Sequence, residues 1–457
     1  MQDKRNSNQS DASADVTADA TTGDAPAHEG SSRINHAEQI SHRGSSLRPQ
    51  RRQQELWEKW DHRADLAEDA IHERHARRVW GLPGTNLAVV SWPALTRDKF
   101  FLRWHYWWQA HYLDCLVDAA SRRPLKSRSR RISRTMRGIR LRNGAPLTKN
   151  RYYDDKSWLA LALDRAEGLG HGHQARSLKD LQQNIIDGVD SLTGVVPWRV
   201  GEAFYNVPTN GPAAIMMARM GRVDEAEALT DWMFENLINQ DGLLIDGIRM
   251  KMDGPEPSTA VYAYNQGVAL GACVEIAQRR REEAGITDDP SGAGSGVRAG
   301  AQAGSDVAMS SITRVHNLVH AIAVNLATDT GVIKGSGSGD GGLFRGILVR
   351  YLALVTTDLP DDQKLSRATK RLAGKLVVST ADAVWDQRLE VNGLPVFSAD
   401  WTRQAEIPRA AGSIGGASGG AVAGSEIAER DLSVQLSGWM AIEAAARVVN
   451  NERLRGA

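Results

Sequence analysis

Apolar residues in this chain recur at helical spacing, and they do so in two ways. Trp60, Ala64, Ala67 and Ile71 follow i, i+4, i+7 and i+11, and Phe344, Ile347, Leu348, Tyr351 and Leu352 follow i, i+3, i+4, i+7 and i+8. This is the one-sided pattern of an amphipathic helix. Val268 to Ala277 and Trp158 to Leu163 are instead apolar almost all round, as helices buried on more than one side must be. About eleven helical segments can be counted by this criterion, with only short candidate strands such as Asn86 to Ser91. Many helices of two burial classes and little sheet predict an all-α fold of two concentric layers, an α/α toroid. A long bundle or a solenoid is the alternative, and the absence of a fixed sequence period argues against the solenoid.

A chain of 457 residues has ample material for one large core or two ordinary ones. Residues 1 to 50 are rich in Ser, Ala, Asp, Thr and Gly; with little apolar surface to bury, they read as a disordered tail. Gly/Ala/Ser-rich stretches near 289–311 and 412–424 read as flexible insertions rather than boundaries, which leaves 51–457 as a single domain. The 56 basic and 55 acidic residues nearly cancel, so total charge favours neither nucleic acid nor a membrane as partner, and a small neutral substrate fits. Two cysteines, Cys115 and Cys273, are too few for a disulfide framework or a cysteine zinc site. The chain as given opens with no apolar signal and holds no stretch of membrane-spanning length, so a cytosolic location is expected.

The chemistry is concentrated where polar loops meet apolar helices. Arg151-Tyr152-Tyr153-Asp154-Asp155-Lys156-Ser157-Trp158 places two carboxyl groups at a helix mouth. Such a pair suits glycosidic chemistry, and it equally suits plain capping of free N–H groups. Further segments combine an aromatic or polar group with a turn former: Val196-Pro197-Trp198-Arg199, Asn206 to Pro212 with Asn210 inside it, Gly242 to Gly247 with Asp246, and Tyr262-Ala263-Tyr264-Asn265-Gln266-Gly267. A carbohydrate cleft needs this composition, since aromatic faces cover a pyranose while carboxylates and amides bond its hydroxyls. Caps, turns and core aromatics need it too.

Other candidates read structurally. His171-Gly172-His173 lacks the carboxylate or thiolate partners of a metal site, and no metal or other cofactor is expected. His105 and His111, flanking the Tyr106-Trp107-Trp108 segment, read as packed or capping histidines, with a reach to the cleft left open for His111. The basic run from Lys126 to Arg142 reads as a solvated face, without a nucleic-acid-binding signature. Gly335 to Gly341 lacks the Lys-Ser/Thr ending of a phosphate loop.

In their order along the chain these segments resemble glycoside hydrolase family 76, the endo-α-1,6-mannanases. Tyr153-Asp154-Asp155 with Trp158 is similar to the family's catalytic pair, and Tyr264-Asn265-Gln266-Gly267 to a second motif. Asp340-Gly341-Gly342-Leu343-Phe344-Arg345-Gly346 with Val349 to Leu352, and Tyr106 to His111, agree in order; Arg345 stands where the family commonly has lysine. The resemblance spans roughly residues 55 to 450.

It implies an (α/α)6 barrel and cleavage of α-1,6-mannosidic bonds in mannan or mannooligosaccharides with retention. Asp154 would be nucleophile and Asp155 general acid/base; Trp198, Asn210, Asp246, Tyr264, Asn265 and Gln266 would bind sugar. Retention needs two carboxyl groups about 5 Å apart, which neighbouring Asp side chains can meet. Successive residues of a regular helix point about 100° apart, so the pair is expected at the helix entry. A sugar epimerase on a similar barrel and a non-catalytic glycan-binding toroid are the competing readings.

Overall fold

The computed structural model describes residues 31–144, 146–172, 175–285, 299–360, 364–409 and 422–455. Thirteen α-helices occur among them: α1 (Ser31–Arg74), α2 (Thr96–Lys99), α3 (Tyr106–Arg122), α4 (Lys126–Asn143), α5 (Tyr153–Gly168), α6 (Ala175–Ile186), α7 (Val207–Arg219), α8 (Val223–Asn236), α9 (Ala263–Glu283), α10 (Ala299–Asn325), α11 (Phe344–Asp358), α12 (Lys364–Asp386) and α13 (Leu432–Arg455). Helices α3, α5, α7, α9, α11 and α13 contact one another in sequence, and α13 returns to α3. The ring is closed, with outer helices packed against it, as an (α/α)6 toroid requires.

Burial follows the sequence periodicity. Every residue of α7 from Val207 to Ala218 is buried, whereas α6 buries Leu178, Leu181 and Ile185 alone. The Trp60, Ala64, Ala67, Ile71 stripe is buried on α1. Cys115 and Cys273 are free and buried. Inner helices approach closely where glycine permits: a Cβ at Gly346 would lie 2.6 Å from Ser437 Cα, joining α11 to α13, and one at Gly267 3.0 Å from Leu348 Cα. Below the cleft, Arg350 meets Asp114 at 2.7 Å and Asp118 at 2.6 Å, and Arg165 pairs with the same two carboxylates. Two cations thus face two anions, and α3, α5 and α11 are tied together.

Three expected segments lie partly outside the described residues. The tail expected over residues 1–50 is described only from Ser31, where the backbone already belongs to α1; Glu, Gln, Lys and Arg, all good helix formers, dominate that helix further on. Of the insertion near 289–311, residues from Ala299 onward belong to α10, and 286–298 lie outside the described residues. Of the insertion near 412–424, only Val422 to Gly424 are described, and Val422 is anchored to Asp340.

A recurring device also appears that no sequence period announced. Gln109, Asn210, Gln266 and Gln435 each stand in the first turn of an inner helix and bond both the N–H and the C=O of one residue in a preceding segment, respectively Ala88, Val196, Leu244 and Phe397. Each amide also donates to a further backbone carbonyl, of Trp104, Asn206, Tyr262 and Glu429. All four are buried. A side-chain amide that reproduces a strand's hydrogen-bonding pattern satisfies backbone groups that would otherwise be buried unpaired.

Candidate active site

The starts of α3, α5, α7, α9 and α11, or the residues just before them, border a cavity of about 460 Å³. Its walls carry Trp107 of α3, Asp154, Asp155 and Trp158 of α5, Asn206 before α7, Tyr262 and Tyr264 around the start of α9, and Asp340 and Phe344 at the start of α11; Trp198 and Asp246 come from connecting segments. A three-stranded antiparallel sheet, β1 (Phe204–Asn206), β2 (Gly247–Lys251) and β3 (Gly254–Ser258), supports the wall that carries Asp246 and Trp198.

Asp154 and Asp155 are the second and third residues of α5, and both line the cavity. The helix entry thus resolves the geometric objection that a mid-helix pair would face. Asp155 N–H donates to Asp154 Oδ1 at 2.7 Å, and Trp198 Nε1 donates to Asp154 Oδ2 at 2.9 Å. Trp198 is held there because Tyr153 N–H donates to its carbonyl and its own N–H donates to Phe204. Asp155 accepts from Asn150 Nδ2 at 2.7 Å.

Both carboxyl groups keep a face on the cavity but are otherwise enclosed. Burial pushes Asp154 up to about 7 against the pull of its two donors, and pushes Asp155 well above the usual carboxylate range, with the neighbouring Asp154 adding to the rise. Lys156 points away, donating to Asn184 Oδ1 at 2.7 Å and lying 3.6 Å from the centre of the Tyr153 ring.

Two further carboxylates share the cavity. Asp246, pushed by burial to about 6, is opposed in that rise by Asn265 and by Ser258, whose hydroxyl donates to it at 3.3 Å. Asp340 accepts from Trp107 Nε1 at 2.9 Å, Trp108 Nε1 at 2.8 Å and Val422 N–H at 2.7 Å, yet burial still raises its pKa. Tyr264 and Phe344 stack with ring centres 4.1 Å apart and planes 8° from parallel; Trp107 lies 6.4 Å from each. Such a flat aromatic face suits the C–H side of a pyranose, beside carboxylates able to bond its hydroxyls.

Of the residues selected from sequence, Asp154, Asp155, Trp198, Asp246 and Tyr264 line the cavity. Asn265 is fully buried beside Asp246, behind the wall. Asn210 and Gln266 are not positioned to bind sugar, because backbone groups occupy both ends of each amide. Asn210 grips Val196, two residues before Trp198, and Gln266 grips Leu244, two residues before Asp246. They position the wall instead of forming it. His111 does not reach the cavity; it packs against Trp107 and Trp158, and burial holds its imidazole well below the usual range. His105 sits on the rim, directly before α3. His171 contacts Ser133, and His173 lies outside the described residues. No group of three or more metal-ligating side chains occurs among the described residues.

Asp340, Trp107, Phe344, Tyr262 and Phe204 line the cavity without having been selected. Their common signal is a position at or near the start of an inner helix or the sheet beside it, and Asp340 and Phe344 stand within a segment already noted for its order.

Two consequences can be measured. Trp198→Phe keeps a ring and deletes the indole donor, so the Asp154 carboxylate loses a stabilising bond and its pKa rises further. The acidic limb of kcat/KM should move to higher pH with the thermal midpoint little changed; an unmoved limb would show the bond to be idle. Asp154 also links stability to pH. Its folded pKa exceeds the unfolded value near 3.8, so its contribution is fully present below that value and is lost as pH rises through about 7. Asp154→Asn should therefore melt higher than the parent at about pH 8, with the difference shrinking towards about pH 4.

A helical barrel whose cleft combines carboxylates with stacked aromatics defines a glycoside hydrolase. The chain belongs to glycosyl hydrolase family 76, whose profile matches residues 67–413. A comparison with curated protein sequences gives no match. Among solved structures, the α-1,6-mannanase GH76A from Salegentibacter sp. HEL1_6 superposes with a TM-score of 0.65 at 22% identity, over 85% of this chain and 99% of that one. An inactive variant of that enzyme, with two consecutive aspartates changed to asparagine and in complex with α-1,6-mannotriose, gives 0.64 at 21%, over 85% and 99%. A family 76 α-mannanase from Bacteroides thetaiotaomicron gives 0.53 at 14%, over 86% and 97%. These likenesses are of fold.

Proposed function

We propose that this glycoside hydrolase is an endo-acting α-1,6-mannanase that works with retention, Asp154 serving as nucleophile and Asp155 as general acid/base. The observation that carries the reading is the unequal environment of two adjacent carboxyl groups on one cleft. Asp154 accepts two N–H bonds, which favour its anion, whereas Asp155 accepts one, from Asn150, and burial with the neighbouring Asp154 raises its carboxyl well above the usual range, which favours the protonated acid. Environments that drive two carboxyl groups apart assign the acid and the base.

In the first step the Asp154 carboxylate attacks the anomeric carbon as the glycosidic bond breaks, and Asp155 gives its proton to the departing oxygen. Water then attacks the glycosyl ester; Asp155 takes its proton and the Asp154 carboxylate is released. Tyr264 with Phe344 would support the sugar face, Trp198 would do so while bonding Asp154, and Asp246 would bond a hydroxyl. The specificity for α-1,6-linked mannose is supported by the neighbouring structures, which include an α-1,6-mannanase and its mannotriose complex.

The pair titrates as a unit, so kcat/KM should be bell-shaped, with an acidic limb near 7 and a fall at higher pH as Asp155 loses its proton. The deciding experiment incubates the chain with α-1,6-mannan and with free mannose. Shortened oligosaccharides whose new reducing ends first appear as the α-anomer are expected. An isomerised monosaccharide, or binding without any product, would overturn the reading.

A further inference from the structure

Outside the cleft, charge and apolar surface are segregated on one outer face. Helix α4 carries eight basic residues and no acidic one between Lys126 and Asn143. Beside it lies a second cavity of about 470 Å³ into which Arg77, Arg78, Arg130, Arg131, Arg134 and His72 project, with no carboxylate on its walls. The nearby acids are largely turned inward: Glu68 binds Arg128 at 2.8 Å and Arg131 at 2.6 Å, and Asp98 is buried and bound by Ser91. Two acids on this side are exposed, Glu73 beside Arg77 and Asp69, which lies in the field of Arg131 and Arg128.

Next to the arginines, Trp80, Leu82, Phe100 and Leu102 are 50%, 44%, 57% and 71% exposed. They form one patch with α4. Trp80 Nε1 donates to the Phe100 carbonyl at 3.0 Å, Arg142 on α4 donates to the Phe101 carbonyl at 2.7 Å, and Arg137 approaches the position a Cβ on Gly84 would take. Trp80 is held at φ 49°, a left-handed conformation that bulky residues avoid; a strained backbone here presents a large aromatic to solvent.

We propose that this face docks the enzyme on an anionic phospholipid bilayer. Trp80, Leu82, Phe100 and Leu102 enter the headgroup region, where aromatic and aliphatic side chains gain most, and the arginine-lined cavity takes headgroup phosphates. The proposed attachment is peripheral, and no helix among the described residues is long and apolar enough to cross a membrane. The patch runs through Arg103 and Trp104 directly into His105 and Tyr106 of the cleft rim, so docking sets the cleft beside the bilayer, in reach of glycan carried on lipid. The near-zero net charge of the whole chain averages this segregation away. The docking itself does not depend on the mannan reading.

Vesicle flotation with the full chain tests it. The protein should float with vesicles of phosphatidylglycerol and phosphatidylcholine, not with phosphatidylcholine alone, and added salt should release it. The triple change Trp80→Ser, Phe100→Ser and Leu102→Ser, and separately Arg130→Ala with Arg134→Ala, should each weaken partitioning by about tenfold or more, with circular dichroism and thermal midpoint unchanged. Failure to bind anionic vesicles, whether or not a DNA duplex or inorganic phosphate is bound, overturns the proposal. So does binding that well-folded variants leave intact.

Discussion

Asp154→Asn is expected to lower hydrolysis of α-1,6-mannan by about 10⁴-fold or more, because an amide can neither attack the anomeric carbon nor carry the negative charge that the oxocarbenium-like transition state requires. Asp155→Asn is expected to cost about 10² to 10⁴-fold on the polymer, the usual worth of a placed general acid. The two losses differ in kind. A dinitrophenyl mannoside needs no proton on its leaving group, so Asp155→Asn should regain much of its first-step rate with that substrate, and added azide should speed release of the glycosyl enzyme. Asp154→Asn should respond to neither. Rescue of the Asp154 variant with the Asp155 variant unresponsive would exchange the roles, and near-normal hydrolysis by both would remove the pair from the chemistry altogether.

Gln266→Leu is expected to destabilise the barrel by about 3 kcal/mol, a clear fall in the denaturation midpoint. The substitution leaves the Leu244 N–H and C=O and the Tyr262 C=O buried without their partner. An unsatisfied buried polar group costs about 1–3 kcal/mol, which the added apolar contact of leucine offsets only in part. A residue that merely bound sugar would give the opposite pattern, a raised KM on an unchanged midpoint. Asn210→Leu should behave similarly, since it frees Val196 and, through it, the segment bearing Trp198.

The helical layers were legible because one-sided and all-round apolar patterns report directly on burial. Trp60, Ala64, Ala67 and Ile71 are buried on α1, and Val268 to Ala277 on α9. The position of Asp154 and Asp155 at a helix entry was legible too, because they stand at the end of a polar stretch that gives way to an apolar run at Trp158. The jobs of the amides were not. Asn210 and Gln266 carry the composition of a sugar-binding site, and their partners lie 14 and 22 residues away, in segments with no local pattern to pair them. Asp340 escaped selection for the same reason: its tryptophan partners are 233 and 232 positions distant.

What the sequence determined by itself was periodicity and local chemistry: which faces are apolar, where helices begin, and that two carboxyl groups stand side by side. Those follow from interactions spanning a few residues. Only the closed ring decided that five helix starts converge on one cavity, that Asp246 and Asp340 join the pair there, that two selected amides serve the backbone, and that α4 shares a face with Trp80 and Phe100. Each depends on contacts between segments far apart in the chain. Burial, which decides whether an amide bonds substrate or scaffold and whether a carboxyl group holds its proton, is a property of the assembled barrel.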